Sequence, residues 1–369
     1  MDLEVIGNFS NKVNENEFVL FKYGDVEGKN KWNCVCSAMD WIRLSARVID
    51  KITFDNKDID INCMELYKYI SCIDIILESI QQLHRVFFDD GSLQKFIDTD
   101  NIFKNKIGKE SDNNYFKTIR ASFGAHPVNL DEPNSPQDKG LKRFASNPFD
   151  NRRNLWKDGR DFSVRLYSNI VGEEDLPFPI WISELKEFIK SRYMYLNTIS
   201  KQIDVIYEKF ATENRKRVIV TSEEPLEQIE ILKTEVKIRA NNDYYTWILD
   251  DLKMAFTINS EDKQNQKILE CYRQKLLDVI KDIKENLQNM IFTEIQSYEE
   301  LEEIPDNVEV PSQFSYAIEK LSNAYYGGSE IHTQYPIEEF LEGIIDFTNL
   351  SLEERYVLTH AGICYKINS

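Results

Sequence analysis

The chain has 369 residues, 42% of them hydrophobic and 12% aromatic, enough to fill packed cores and too many for general disorder. Gly (13) and Pro (10) are scarce, which favours helices over a turn-rich β architecture, and the length points to two domains instead of one core. A formal net charge of −18 argues, on average, against a surface built for polyanions.

Residues 1–30 read as a short strand or irregular arm, with "EFVLFKYGDVEGKN" ending in turn signals at Gly24 and Gly28. Lys31–Ile52 places Trp41, Leu44 and Val48 near helical spacing, and Ile61–Phe88 repeats the pattern with Leu66, Ile70, Ile73, Leu77, Ile80 and Leu83. The two predict an antiparallel helical hairpin. A short third helix around Leu93–Phe103 and a fourth from Asn113 to Phe123 complete a compact helical domain over 31–130. From Pro127 to Pro148 the composition turns to Pro, Asn, Asp and Gly, which cannot sustain a helix. Arg160–Val171 alternates Phe162, Val164 and Leu166 with polar neighbours, a strand with one buried face, so 131–178 is a basic loop and strand connection. Leu176–Ala211 predicts a long amphipathic helix opening just after Pro179, a favoured place for proline. Helices over Pro225–Phe256 and Glu261–Gln296, with shorter ones at Ser315–Tyr326 and Ile337–Phe347, make 179–369 a helical domain of its own. The fold class is therefore mainly α: an N-terminal helical bundle, a short β element and a second, larger helical bundle.

Charge divides along the same lines. From Glu285 to Ser369 stand 16 acidic and 3 basic residues, a net of −13. Between Lys139 and Arg165 the sign reverses: Lys139, Lys142, Arg143, Arg152, Arg153, Lys157, Arg160 and Arg165 face Asp150, Asp158 and Asp161, a net of +5. Charge runs are ordinarily solvated surface; the sharper reading has the basic island meet polyanion while the acidic tail governs solubility or access. No segment has the order of a signal peptide or the length of a membrane span, so a soluble cytoplasmic protein is expected. Of the six cysteines only Cys34 and Cys36 are close, at a spacing unlike a zinc knuckle, and reduced thiols packed in helices are expected.

The signatures of common chemistries are missing: no Gly-rich phosphate loop, no Gly-x-Ser-x-Gly elbow, no His-Glu-x-x-His. The four histidines are scattered at 84, 126, 332 and 360, which makes a multi-histidine metal site improbable. One stretch differs. In "DNNYFKTIRASFGAHP", Tyr115, Phe116, Ile119 and Phe123 supply an apolar face, Gly124 weakens the helix, and His126 is driven from helical geometry because it precedes Pro127. On an unbroken helix Arg120 and His126 would lie about 120° apart. A break at Gly124 lets the imidazole swing back toward the guanidinium, joining a fixed positive fork to a group that titrates near neutral pH.

The phrase "YFKTIRASFGAHP" resembles the motif of the HEPN superfamily: an arginine followed after four to six positions by a histidine, near the end of a helix in a small all-helical domain. Active members of that superfamily are metal-independent ribonucleases of prokaryotic toxin and antiphage abortive-infection systems. The resemblance covers residues 31–130 and implies that Arg120 orients or stabilises the scissile phosphate. It implies too that His126 assists proton transfer as the ribose 2′-hydroxyl attacks, leaving a cyclic phosphate without any cofactor. It further implies a homodimer with the site formed across it. Lys117, Lys139, Lys142, Arg143, Arg152 and Arg153 are the residues expected to contact RNA. Family members commonly place a polar residue directly after the arginine; here Ala121 follows, with Ser122 one step later.

A second match, Arg355 to His360 in "RYVLTH", lies in the acidic region and reads as a packed or surface histidine of the last helix. The aromatic runs "RYMYLNTI" and "NDYYTWIL" read as helix packing. Two other function classes stay open: a noncatalytic scaffold or sensor that binds a protein partner or antitoxin through the acidic bundle, and a HEPN-like fold that binds RNA without cutting it.

Overall fold

The computed structural model describes residues 1–106, 108–125, 127–128, 130–131, 142–151, 156–240, 242–305, 307–327 and 335–368. It is mainly helical and divides into two compact units, Met1–Tyr207 and Glu208–Ser369.

In the first unit, α1 (Leu3–Asn14) starts where the Asp2 carboxylate accepts from the Glu4 backbone N–H, and a single 3-10 turn at Glu15–Glu17 leads to α2 (Phe18–Tyr23). The expected arm is thus two helices. Val5, Ile6, Phe9 and Val13 recur at helical spacing and are buried, a periodicity that the turn signals further along had obscured. Next, α3 (Lys31–Ile49), capped by Asn30, and α4 (Ile59–Phe88), capped by Asp58, form the expected hairpin over Val35, Ile42, Leu66, Ile73, Ile76 and Leu83, all fully buried. The long α4 stops at Asp89, whose φ of 50° lies in the left-handed region.

The expected helix at Leu93–Phe103 does not form. Asp90 takes the backbone N–H of Lys95 at 2.7 Å and Leu93 turns to φ 59°, so local side-chain turns outcompete the helical ladder. The next helix, α5 (Asp112–Arg120), runs into one π turn at Ala121–Ala125.

Among the described residues a five-stranded antiparallel sheet follows: β1 (Leu130–Asp131), β2 (Lys142–Ala145), β3 (Phe149–Asp150), β4 (Phe162–Ser168) and β5 (Leu176–Ile180). Here β4 is central, with β2 and β3 in tandem along one side and β5 along the other, in the register Phe162↔Ile180 and Leu166↔Leu176. Phe162, Val164 and Leu166 are buried, as their alternation predicts. Pro177 and Pro179 lie in β5, where a missing N–H is tolerated on an edge strand, so Pro179 does not open a helix. The chain becomes helical at α6 (Ile182–Met194) and again at α7 (Leu196–Lys216), and the division between the units falls inside α7 instead of at 178/179. Leu185, Phe188 and Ile189 of α6 complete this core.

The second unit contains α8 (Pro225–Arg239), α9 (Asp243–Thr257), α10 (Lys263–Asn289), α11 (Gln296–Glu302), α12 (Phe314–Gly327), α13 (Tyr335–Phe340) and α14 (Leu352–Ile367). The expected helix over Pro225–Phe256 is two: Ala240 leaves helical geometry at φ −147°, and the Asn242 side chain caps α9 by accepting from Tyr245 N at 3.0 Å. Met290 ends α10 at φ 58°, before the expected terminus at Gln296. Leu232, Leu249, Leu269, Leu276, Ile283 and Leu358 share one core, and α14 opens on a capping box between Ser351 and Glu354.

Candidate active site

The first turn of α5 is held by a buried polar network. Ser111 caps the helix, and Asp112, fully buried, accepts from the Thr99 hydroxyl and from the backbone N–H groups of Ile102 (3.1 Å) and Phe103 (3.3 Å) while pairing with Lys106 at 2.7 Å. Burial pushes the Asp112 carboxyl up, but the Lys106 ammonium, the hydroxyl and the two amides outweigh it and hold the group below its ordinary range. Arg192, also fully buried, donates to Asn113 Oδ1 from Nε (3.1 Å) and Nη2 (2.9 Å) and to Thr99 Oγ1 (3.0 Å), with its guanidinium 4.2 Å over the Phe188 ring. The hydroxyl of Thr99 therefore accepts from Arg192 and donates to Asp112. Burial lowers the Arg192 pKa, opposed by Asp112 and Asp98.

At the other end of α5, Arg120 Nη1 donates to both oxygens of Asp74 on α4, each at 3.0 Å. Arg120 Nε is buried and, among the described residues, has no acceptor. The side chain as a whole is 42% exposed and that of Asp74 31%, with Nη1 committed and Nε buried, which leaves Nη2 as the nitrogen open to a ligand. Directly after it the π turn carries Ser122 and Phe123 into the core. Gly124 lies so close to α4 that a Cβ there would meet Cδ2 and Cε2 of Tyr67 at 3.0 Å. A side chain at 124 would thus press on the Tyr67 ring, which would have to give by a few tenths of an ångström to admit it.

His126, the second half of the expected pair, lies outside the described residues, as do Lys139, Arg152 and Arg153. Lys117 is exposed on α5, with Nζ 3.4 Å from Asn114 Oδ1. Lys142 and Arg143 are adjacent on β2 and separate to opposite faces of the strand. Lys142 is exposed; Arg143 shares the side of its partner Ser168, is 2% exposed, donates to the Glu174 carbonyl at 2.9 Å and stands 3.7 Å from Glu173. Counting charges along the chain could not make that distinction. Asp74 was missed because one carboxylate among many on a helix carries no local signal.

Two other polar clusters are enclosed. In the first unit the Tyr195 hydroxyl lies 3.0 Å from His84 Nδ1 and Asp90 Oδ2 lies 3.2 Å from Nε2, a relay in form, yet His84 is fully buried and stacked on Phe88 at 4.5 Å. In the second unit Asp251 accepts from the hydroxyls of Tyr298 (2.9 Å), Tyr356 (3.2 Å) and Tyr326. Burial raises the Asp251 carboxyl above its ordinary value against these donors and the nearby His360. The adjoining cavity of about 10 Å³ has room for one water. Arg355 points to Glu338 at 2.8 Å, whereas His360 is buried against Tyr356, so this second arginine–histidine pair is not joined.

Among the described residues no group of three or more His, Cys, Asp or Glu side chains could hold a metal ion, and no helix is long and apolar enough to cross a membrane. Comparison of the chain with protein-family models, with curated proteins and with solved structures finds no match.

Proposed function

We propose that the protein is a HEPN-like, metal-independent endoribonuclease of a bacterial toxin or antiphage defence system, cutting RNA through Arg120 and His126. The observation that carries this reading is a partly exposed guanidinium at the end of a helix clamped at its first turn, oriented by Asp74 and followed at once by a π turn. An ion pair this exposed contributes about 0–1 kcal/mol to stability, so stability accounts for little of the arrangement. In the proposed reaction His126 takes the proton of the ribose 2′-hydroxyl as its oxygen attacks phosphorus. The bond to the leaving 5′-oxygen breaks, that oxygen takes a proton from solvent water, His126 later releases its proton to solvent, and a 2′,3′-cyclic phosphate and a 5′-hydroxyl result. Arg120, donating from Nη2, which neither Asp74 nor burial takes up, balances the charge that grows on the phosphoryl oxygens. Lys117 and Lys142 offer exposed cations for flanking phosphates.

The test is cleavage of single-stranded RNA in the presence of chelator by the wild type, Arg120→Ala and His126→Ala. The reading requires chelator-resistant cleavage that both substitutions abolish in folded protein; unchanged cleavage in both variants sinks the site. A second reading is favoured by the same Asp74 contact: Arg120 staples α5 to α4 in a noncatalytic scaffold, whose partners would meet the acidic 285–369 region. On that reading the wild type cuts nothing and its expression leaves growth unchanged.

A further inference from the structure

The reaction above makes no use of the exposed stripe that leads to its arginine. Ile61, Met64, Tyr67, Ser71 and Asp74 recur at three- and four-residue spacing and line one face of α4. Three of them are apolar or aromatic and unusually open: Ile61 is 46%, Met64 65% and Tyr67 44% exposed. Tyr67 stands two turns, about 10 Å, from Asp74 along the helix. One edge of its ring is packed against the π turn, because Cδ2 and Cε2 lie only 3.0 Å from where a Cβ of residue 124 would be. Backbone therefore supports one side of the ring, and the rest is left to solvent.

We propose that Tyr67 is a stacking platform for an unpaired base of the RNA whose phosphate is held at Arg120, an inference that rests on the nuclease reading of that site. A cationic group for the backbone beside an aromatic face for a base is the pairing by which single strands are gripped without sequence readout. The remainder of the stripe fits this occupant. Met64 continues the apolar floor, and the exposed Lys68 ammonium, 2.7 Å from Glu65, adds no isolated charge beneath a base. The glycine follows from the same logic: a side chain at 124 would press on the ring and shift its seat by a few tenths of an ångström. The substrate class is accordingly unpaired RNA, with duplex excluded at this position because its bases are stacked on one another.

The experiment measures binding of a single-stranded 2′-deoxy oligonucleotide, which lacks the attacking hydroxyl and cannot be cut, with 2-aminopurine as the reporter base. Wild type, Tyr67→Leu and Tyr67→Trp are compared on this strand and on an abasic strand of the same length. Tyr67→Leu should bind roughly ten-fold more weakly and lose the stacking-induced quenching, while Tyr67→Trp keeps both. On the abasic strand all three should bind alike. Equal affinity and equal quenching in Tyr67→Leu, or no binding by the wild type, overturns the platform. So does a wild-type dimer that Tyr67→Leu splits without any change in binding, which would assign the stripe to self-association. Tyr67-dependent binding without RNA cleavage retires the nuclease reading and leaves the platform standing; cleavage with Tyr67-independent binding does the reverse. Matching thermal melts of the three proteins guard against misfolding.

Discussion

Replacing Asp112 by Asn tests the clamp that orients α5. The carboxylate is fully buried, pairs with Lys106 at 2.7 Å and receives a hydroxyl and two backbone N–H groups. An amide of the same shape removes the charge opposite a buried ammonium and turns an –NH₂ toward existing donors. Breaking one side of a buried pair costs about 3–5 kcal/mol. With a urea dependence of about 2 kcal/mol/M, the midpoint of the first unit should fall by about 1.5–2.5 M. Trp32, Trp41, Trp156 and Trp181 lie in that unit and Trp247 in the other, so tryptophan fluorescence in a Trp247→Phe background follows the first unit alone. The pH dependence adds an independent check. Because the folded carboxyl is held below its ordinary 3.8, its contribution is complete above that pH and is lost as pH falls through the lower folded value. The gap between wild type and Asp112→Asn should therefore be constant at neutral pH and close progressively below about pH 4. A midpoint shift under about 0.5 M with unchanged slope, or a gap independent of pH in acid, would refute the assignment of Asp112 as an ionised clamp.

Gly124→Ala should displace Tyr67 or the π turn and lower cleavage several-fold while moving the melting temperature by a few degrees at most; an unchanged rate would show that the close approach of α4 and the turn is immaterial to the site. Asp251→Asn should leave the second unit within about 1 kcal/mol of wild type at neutral pH, since an amide still accepts from tyrosine hydroxyls and removes a charge that burial disfavours. Its folded carboxyl is raised, so the wild type should gain relative stability as pH falls through that raised value toward 3.8, a trend that urea titrations read by Trp247 can confirm or reject. Arg239→Met should destabilise the second unit by about 2–5 kcal/mol, because the fully buried guanidinium donates to the carbonyls of Asn214 (2.8 Å) and Arg217 (2.6 Å) and pairs with Glu235 (2.8 Å); a loss below about 1 kcal/mol would show those carbonyls finding other donors.

Periodicity carried the long elements. The hairpin of α3 and α4 and the strand at Phe162–Ser168 were legible because each repeats its apolar positions over several turns or pleats. Where a single side chain decides the outcome, pattern was a poor guide. Asp90 unmakes a helix after Gly91, Asn242 starts one inside an apparently continuous stretch, and Pro179 sits on a strand edge where the same residue before an amphipathic run suggested a helix start.

By itself the sequence determined that the chain is mainly helical with a small sheet, and that one arginine stands at the end of an α-helix; the break expected at Gly124 is instead a π turn. Those are local matters, set by periods of two and 3.6 residues and by Gly and Pro. Tertiary structure alone decided that Asp74, 46 residues upstream, holds the Arg120 guanidinium. It also decided that Arg143 is buried while its neighbour Lys142 is exposed, and that Tyr67 is seated against Gly124. The physical reason is the same for all three: charge, burial and ring contact depend on which faces meet across the core, and no spacing along the chain encodes that meeting.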